Sequence, residues 1–133
     1  SVTNRSPLIR IPVTRGEGTR VELRCPDSAA NPYLTLAVCL QAGLDGIRNQ
    51  IEPPAAVTEN VFEMRMSQKN KLGIEELPAD LGEALAEFEK DEYLQNVLGR
   101  HATEKYIEAK KSEWADYRAQ VSDWEINNYL YKI

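Results

Sequence analysis

Cysteine and histidine are scarce in this chain, which has two cysteines, Cys25 and Cys39, and a single histidine, His101. A small secreted disulfide scaffold needs more cysteines, and a zinc site needs clustered cysteines and histidines at characteristic spacings. The sequence therefore predicts neither, and a reducing cytoplasm is the simplest location.

The sequence also lacks a long apolar run. No stretch approaches the roughly 20 apolar residues needed to cross a bilayer, and no signal peptide is visible. With 133 residues, 42% apolar and 28% charged, the composition is typical of one soluble globular domain. We expect no membrane association.

Lysine is absent from residues 1–50, which hold six arginines against four acidic residues and so carry a net charge of +2. The rest of the chain has ten basic and seventeen acidic residues, a net charge of −7. A guanidinium offers a planar fork that matches carboxylates and phosphates. The first segment therefore predicts a small-anion site, whereas the acidic total argues against nucleic acid.

Residues 1–27 read as two strands, PLIRIPV and TRVELRC, joined by the glycine-containing turn TRGEGT. Alternation along the second strand places Val21, Leu23 and Cys25 on one face, which we expect to face a core. Arg20, Glu22 and Arg24 line the other face.

The remaining pattern is helical and irregular. Residues 28–50 predict a buried helix. Asn31 or Ser28 can cap its start, and Pro32 fits its first turn. Residues 51–78, here called the excursion, have little periodicity, and residues 79–133 predict several helices with a capping box at Ser122 to Glu125. This order predicts an α+β fold whose short antiparallel strand pair is part of a larger sheet, because two strands alone are marginal in water.

The charged strand face supports two interpretations. One is a solvated salt-bridge network, which stabilises little. The other is a site for a polyanion and a divalent metal, in which Glu22 ligates Mg²⁺ or Mn²⁺ and the arginines hold phosphate and carboxylate oxygens. These arginines are Arg5, Arg10, Arg20 and Arg24. No second carboxylate stands beside Glu22 at ligand spacing, so further ligands would lie elsewhere.

Four segments carry a family resemblance: NRSPLIRIP, RGEGTRVELRCPD, AANPYLTLAVCLQAGLDGIRN and the PP that follows. From Asn4 to its end, the chain resembles the carboxyl-terminal part of the catalytic domain of bacterial type I glutamine synthetase. The resemblance implies a ligase that joins ammonia to L-glutamate through γ-glutamyl phosphate, with ATP as co-substrate and Mg²⁺ or Mn²⁺ as cofactor. It also implies a homododecamer of two stacked rings.

The resemblance assigns a role to each charged residue of the two strands. Arg5 lies by the transferred phosphoryl group and is the catalytic candidate, which also contacts ATP. Arg10 and Arg20 contact ATP phosphates, Glu22 ligates a metal, and Arg24 holds the glutamate substrate.

Other positions qualify the resemblance. ENVFEM has Phe62 where adenylylated family members have tyrosine, so that covalent switch is impossible at this position. The family's other metal ligands, its ammonium-site aspartate and its nucleotide-binding strands precede the NRSP motif, so we expect this chain alone to be inactive. The terminal helix SDWEINNYLYKI is expected to be a strap that docks into a neighbouring subunit.

Two other functions fit the same residues. The first is a non-catalytic module of this fold that binds a nucleotide, another anion or a protein partner through the arginine face. The second is a related ligase that uses another carboxylate or a bulkier amine.

Overall fold

The computed structural model describes residues 6–130 and 132, so Arg5 lies outside the described residues. The chain divides into two compact units, residues 1–76 and residues 77–133. Each unit is described by itself.

The first unit begins with a two-stranded antiparallel ribbon. Strand β1 is Ile9–Arg10 and strand β2 is Glu22–Leu23, with Ile9 opposite Leu23 and Arg10 opposite Glu22. One turn of 3₁₀ helix, Gly16–Gly18, lies between them. The predicted hairpin is confirmed, but its strands are short, because Pro12 has no N–H with which to continue a ladder.

The apolar face of the ribbon is exposed rather than buried. Val21 retains 64% of its accessible surface and Leu23 retains 39%, and Cys25 is exposed as well. In this chain by itself the expected core contact is not made, and burial of this face in a larger sheet stays a prediction. A ribbon of two strands has no further strand with which to enclose one of its faces.

Helix α1, Pro32–Arg48, follows the ribbon. Asn31 caps it, since its side-chain oxygen accepts hydrogen bonds from the backbone N–H groups of Tyr33 at 3.0 Å and Leu34 at 3.3 Å. Pro32 occupies the first turn, where its missing N–H costs nothing. The predicted start is confirmed at Asn31.

Burial of helix α1 stays a prediction about a larger protein. In this chain its outer apolar residues are exposed, among them Leu36, Leu40 and Ile47.

The excursion contains two short ordered pieces, a 3₁₀ turn at Val61–Glu63 and helix α2 at Met66–Lys71. Asn60 caps the turn by accepting the Phe62 N–H at 3.2 Å. The excursion is therefore only partly ordered, which agrees with its lack of a sustained hydrophobic period.

Three consecutive helices form most of the second unit: α3 Leu81–Lys90, α4 Glu92–Leu98 and α5 Arg100–Arg118. Asp80 caps α3 and Asp91 caps α4, each accepting a backbone N–H at 2.9 Å. Gly99, with a φ of 78°, ends α4 in a conformation that suits glycine.

Leu85 on α3 is the buried centre of this unit, at 6% exposure. The Phe88 and Tyr106 rings meet edge to face with centroids 5.8 Å apart, which joins α3 to α5. Thr103 is also buried, and its hydroxyl donates to the Gln95 carbonyl at 3.0 Å. Burial of this polar side chain is therefore compensated.

A short final helix, α6 at Asp123–Glu125, continues as a wider turn of π type at Ile126–Leu130. Ser122 and Glu125 form the predicted capping box. The Trp124 and Tyr129 rings contact each other edge to face at 5.5 Å, and both side chains remain exposed.

The two units together confirm the α+β class. Within residues 6–130 and 132, no helix has both the length and the apolar character required to cross a membrane.

Gly82 allows the close approach of Trp114 to helix α3. A Cβ at position 82 would stand 2.8 Å from Cε2 of Trp114 and closer still to its Nε1. We therefore expect Gly82→Ala to lower the free energy of unfolding of the second unit by about 1–3 kcal/mol, as overpacking does. Urea unfolding followed by circular dichroism, which reports the helices of both units, measures this.

The matched control is Gly43→Ala in helix α1, where the added methyl group meets nothing within 4 Å. We expect a gain of about 0.5–1 kcal/mol there, because alanine favours a helix more than glycine does. A stabilised Gly82→Ala variant would show that Trp114 does not pack against this position.

Candidate functional site

Three of the five charged residues predicted to form the site, Arg10, Arg20 and Glu22, meet across the ribbon. Arg10 on β1 lies directly opposite Glu22 on β2, and Arg20 comes two residues before Glu22 on the same side of its chain. The antiparallel register thus places a carboxylate between two guanidinium groups. We call Arg10, Arg20 and Glu22 the arginine–glutamate cluster.

Each carboxylate oxygen of Glu22 accepts from a different arginine. Nη1 of Arg10 donates to Oε2 at 2.9 Å. Nε and Nη2 of Arg20 donate to Oε1 at 3.0 Å and 2.7 Å. These charge-assisted bonds fix the orientation of the carboxylate.

The cluster is partly shielded from solvent, with side-chain exposures of 31% for Arg10, 28% for Glu22 and 51% for Arg20. The hydrogen bond from Arg10 is the largest influence on the pKa of Glu22 and lowers it. Burial is the second largest and opposes this shift, and the hydrogen bond from Arg20 lowers the pKa further. Glu22 is therefore ionised at neutral pH.

The ladder predicted from strand alternation is only part of this arrangement. Alternation placed Arg20 beside Glu22, but the partner on the other side is Arg10, from the neighbouring strand. The hairpin register carries this pairing, and a pattern read along one strand does not give it. Arg24 lies at the end of the same ribbon, where its backbone N–H donates to the Leu8 carbonyl at 3.0 Å.

One contact near the site was not predicted. The hydroxyl oxygen of Ser6 accepts the backbone N–H of Val61 at 3.0 Å, across 55 residues of sequence. It joins the segment that leads into β1 to the 3₁₀ turn of the excursion. A serine in a short polar motif gives no sequence signal for such a distant partner.

The described part of the chain offers one candidate carboxylate for a metal site, Glu22, rather than a full set. Among residues 6–130 and 132, no three His, Cys, Asp or Glu side chains lie together as metal ligands would. His101 is exposed in the first turn of α5. Magnesium accepts one or two carboxylates together with water and phosphate oxygens, so Glu22 suits that chemistry as a single contributor.

Known proteins match the chain along nearly all its length. It is 51% identical over 132 residues to the glutamine synthetase of Clostridium saccharobutylicum, and 50% identical over 127 residues to that of the archaeon Methanocaldococcus jannaschii. These alignments cover 99% and 96% of the chain but only 30% and 28% of the relatives. The chain thus spans about 30% of the length of the curated relatives that it matches.

Solved structures agree in fold. A GmaS/ADP complex superposes with a TM-score of 0.81 at 38% identity, covering 96% of this chain and 27% of the other. Ligand-free GmaS gives a TM-score of 0.78 at the same identity of 38%.

The family model for the glutamine synthetase catalytic domain matches residues 1–129, almost the whole chain. The matched region includes both strands of the ribbon and the arginine–glutamate cluster. This chain belongs to the glutamine synthetase catalytic-domain family.

Proposed function

We propose that this chain is the carboxyl-terminal part of a bacterial type I glutamine synthetase, which forms L-glutamine from L-glutamate and ammonia through γ-glutamyl phosphate. The observation that carries the proposal is the arginine–glutamate cluster. An ionised carboxylate between two guanidiniums, on a short ribbon, combines a hard metal ligand with phosphate-binding groups.

Arg10 and Arg20 bind the phosphates of ATP in this proposal. Their guanidinium groups already converge on one anionic group, with donor–acceptor distances of 2.7–3.0 Å. ATP phosphate oxygens present the same kind of acceptor, so these two arginines can exchange one anion for another. Arg5, outside the described residues, is assigned to the transferred phosphoryl group.

Arg24 holds the carboxylate of L-glutamate or its phosphorylated γ-carboxyl group. Arg24 comes two positions after Glu22, on the side of the chain that also carries Arg20. Bidentate pairing of arginine with a carboxylate fixes both the position and the orientation of the substrate. Such positioning is a large part of catalysis in transfers of this kind.

Glu22 is the metal ligand supplied by this chain. Mg²⁺ or Mn²⁺ bound there would neutralise phosphate charge during phosphoryl transfer. Both Glu22 oxygens accept hydrogen bonds from arginine. The carboxylate becomes available to a cation when Arg10 and Arg20 donate to phosphate oxygens instead. The remaining ligands come from other parts of the complete protein.

The complete protein is proposed to be a cytoplasmic homododecamer, with the terminal helix as a strap between subunits. Exposed Trp124, Tyr129 and Leu130 support this assembly, because aromatic residues at a free surface favour partner contact. We propose no nucleic-acid or membrane partner for it.

A related ligase that uses another carboxylate or a bulkier amine is the second candidate, and the 38% identity to the GmaS structures is compatible with it. The identities near 50% to glutamine synthetases favour the first candidate. A non-catalytic anion-binding module requires only the arginines, so the paired Glu22 counts against it.

The direct experiment compares the purified 133-residue chain with the complete gene product that contains it. We expect ATP- and Mg²⁺-dependent glutamine formation only by the complete product, because the chain supplies a single metal carboxylate. Coupled ADP release and chromatographic detection of glutamine measure it. Product formed with methylamine but not with ammonia would select the related ligase, and no product with any amine would select the binding module.

Glu22→Gln in the complete product tests the metal role, because glutamine keeps the shape of the side chain and loses its charge. We expect activity at limiting Mg²⁺ to fall by more than the roughly 10- to 100-fold that loss of an outer-shell partner costs. Glu17→Gln, an amide substitution in the exposed turn of the same ribbon, should leave activity unchanged. Equal Mg²⁺ dependence in both variants contradicts the assignment.

The ionisation of Glu22 can be followed directly by carboxyl ¹³C NMR on the 133-residue chain. We expect its pKa to lie below the usual value of 4.5, and Arg10→Gln to raise it, because the Arg10 hydrogen bond is the largest cause of the shift. A lowered pKa in the folded state means that this contribution to stability is present above the unfolded pKa. It is lost as pH falls through the folded pKa.

Arg100→Gln is the matched control for that titration. The Arg100 hydrogen bond lowers the pKa of Glu104 in helix α5, so this variant should raise the pKa of Glu104 and leave that of Glu22 in place. A Glu22 pKa unchanged by Arg10→Gln would show that the cross-strand pair does not form in solution.

A further inference from the structure

A hydrogen bond between Ser6 and Val61 joins two segments that are far apart in the sequence. The Ser6 oxygen accepts the Val61 N–H at 3.0 Å, in a partly buried position. Val61 is the first residue of the 3₁₀ turn Val61–Glu63. N–H groups at the start of a helical turn have no partner inside the turn, so Ser6 supplies a cap from a remote segment.

The turn itself is held by local bonds. The side chain of Asn60 accepts the Phe62 N–H at 3.2 Å and donates to Glu63 Oε1 at 2.6 Å. The backbone N–H of Glu63 donates to the Asn60 carbonyl at 3.1 Å. The Ser6 bond therefore locates a preformed turn rather than creating it.

The other end of this connection is the ribbon. Ser6 lies four residues before Arg10 in the segment that enters β1. Two residues after Ser6, the Leu8 carbonyl accepts the Arg24 N–H, and Arg10 itself bonds to Glu22. A shift of the Ser6 segment is thus transmitted to the strand that carries Arg10.

We propose that Ser6 is a positioning residue that ties the excursion to the strand carrying Arg10, so that order in the excursion and affinity for ATP change together. The proposal rests on the ATP-phosphate role of Arg10 proposed above. Ser6 acts through the backbone it anchors and does not itself touch the nucleotide.

The test uses Ser6→Ala and Ser6→Thr in the complete gene product, with Ser28→Ala, an exposed serine in the turn before α1, as the control. Hydrogen–deuterium exchange of the peptide spanning residues 59–64 reports the Val61 amide. We expect exchange about two- to tenfold faster in Ser6→Ala, the range for loss of one hydrogen bond. Ser6→Thr keeps the hydroxyl and should restore slow exchange.

The second readout is the dissociation constant for ATP with Mg²⁺, measured by titration calorimetry. We expect it to rise about two- to tenfold in Ser6→Ala and to return in Ser6→Thr, because the same bond controls both properties. The KM for ammonia should not change, since neither segment is assigned to the amine.

The outcomes separate this proposal from the proposed function. Unchanged exchange in Ser6→Ala overturns the tether, and faster exchange with unchanged ATP affinity overturns the positioning role. Failure of Ser6→Thr to restore either property overturns the role of the hydroxyl. A wild-type protein that binds ATP but forms no glutamine refutes the ligase function. The exchange and ATP-affinity measurements still test the role of Ser6 in that case.

Discussion

The ion pair between Arg10 and Glu22 is the constraint on which the site depends, because it joins the two strands at one register. Side chains alternate along a strand, so a slip of one residue would send Glu22 to the opposite face. It would also separate Glu22 from Arg10. The arrangement of two guanidiniums around one carboxylate therefore depends on a ladder of very few hydrogen bonds.

Such a short ladder has little apolar packing of its own. The ribbon exposes Val21 and Leu23, and α1 exposes Leu36 and Leu40. These apolar surfaces and the family's greater length agree with a catalytic domain whose remaining parts cover the ribbon and the helix. In that setting the arginine–glutamate cluster would lose solvent and its electrostatic interactions would strengthen.

The connections that hold the described parts together are of two kinds. In the second unit, packing dominates, with Leu85 buried and Phe88 against Tyr106. In the first unit, individual hydrogen bonds join segments that are distant in the sequence, such as the Ser6 bond to Val61. Segments joined by individual hydrogen bonds open locally at lower free energy than packed elements do.

The amino-acid sequence by itself determined the elements whose signals are local. Asn31 before Pro32, Asp80 before an apolar repeat, Gly99 after Leu98 and the Ser122 capping box each fix a helix end through bonds to adjacent backbone. Alternation also identified the charged face that holds Glu22.

The tertiary structure decided what depends on contacts between distant residues. It paired Arg10 with Glu22, brought Ser6 to Val61, and left the Val21 face exposed where alternation predicted a core. The physical reason is the same in each case. A local pattern specifies which side of a strand or helix is polar, but only the register between strands and the presence of a packing partner decide what that side contacts.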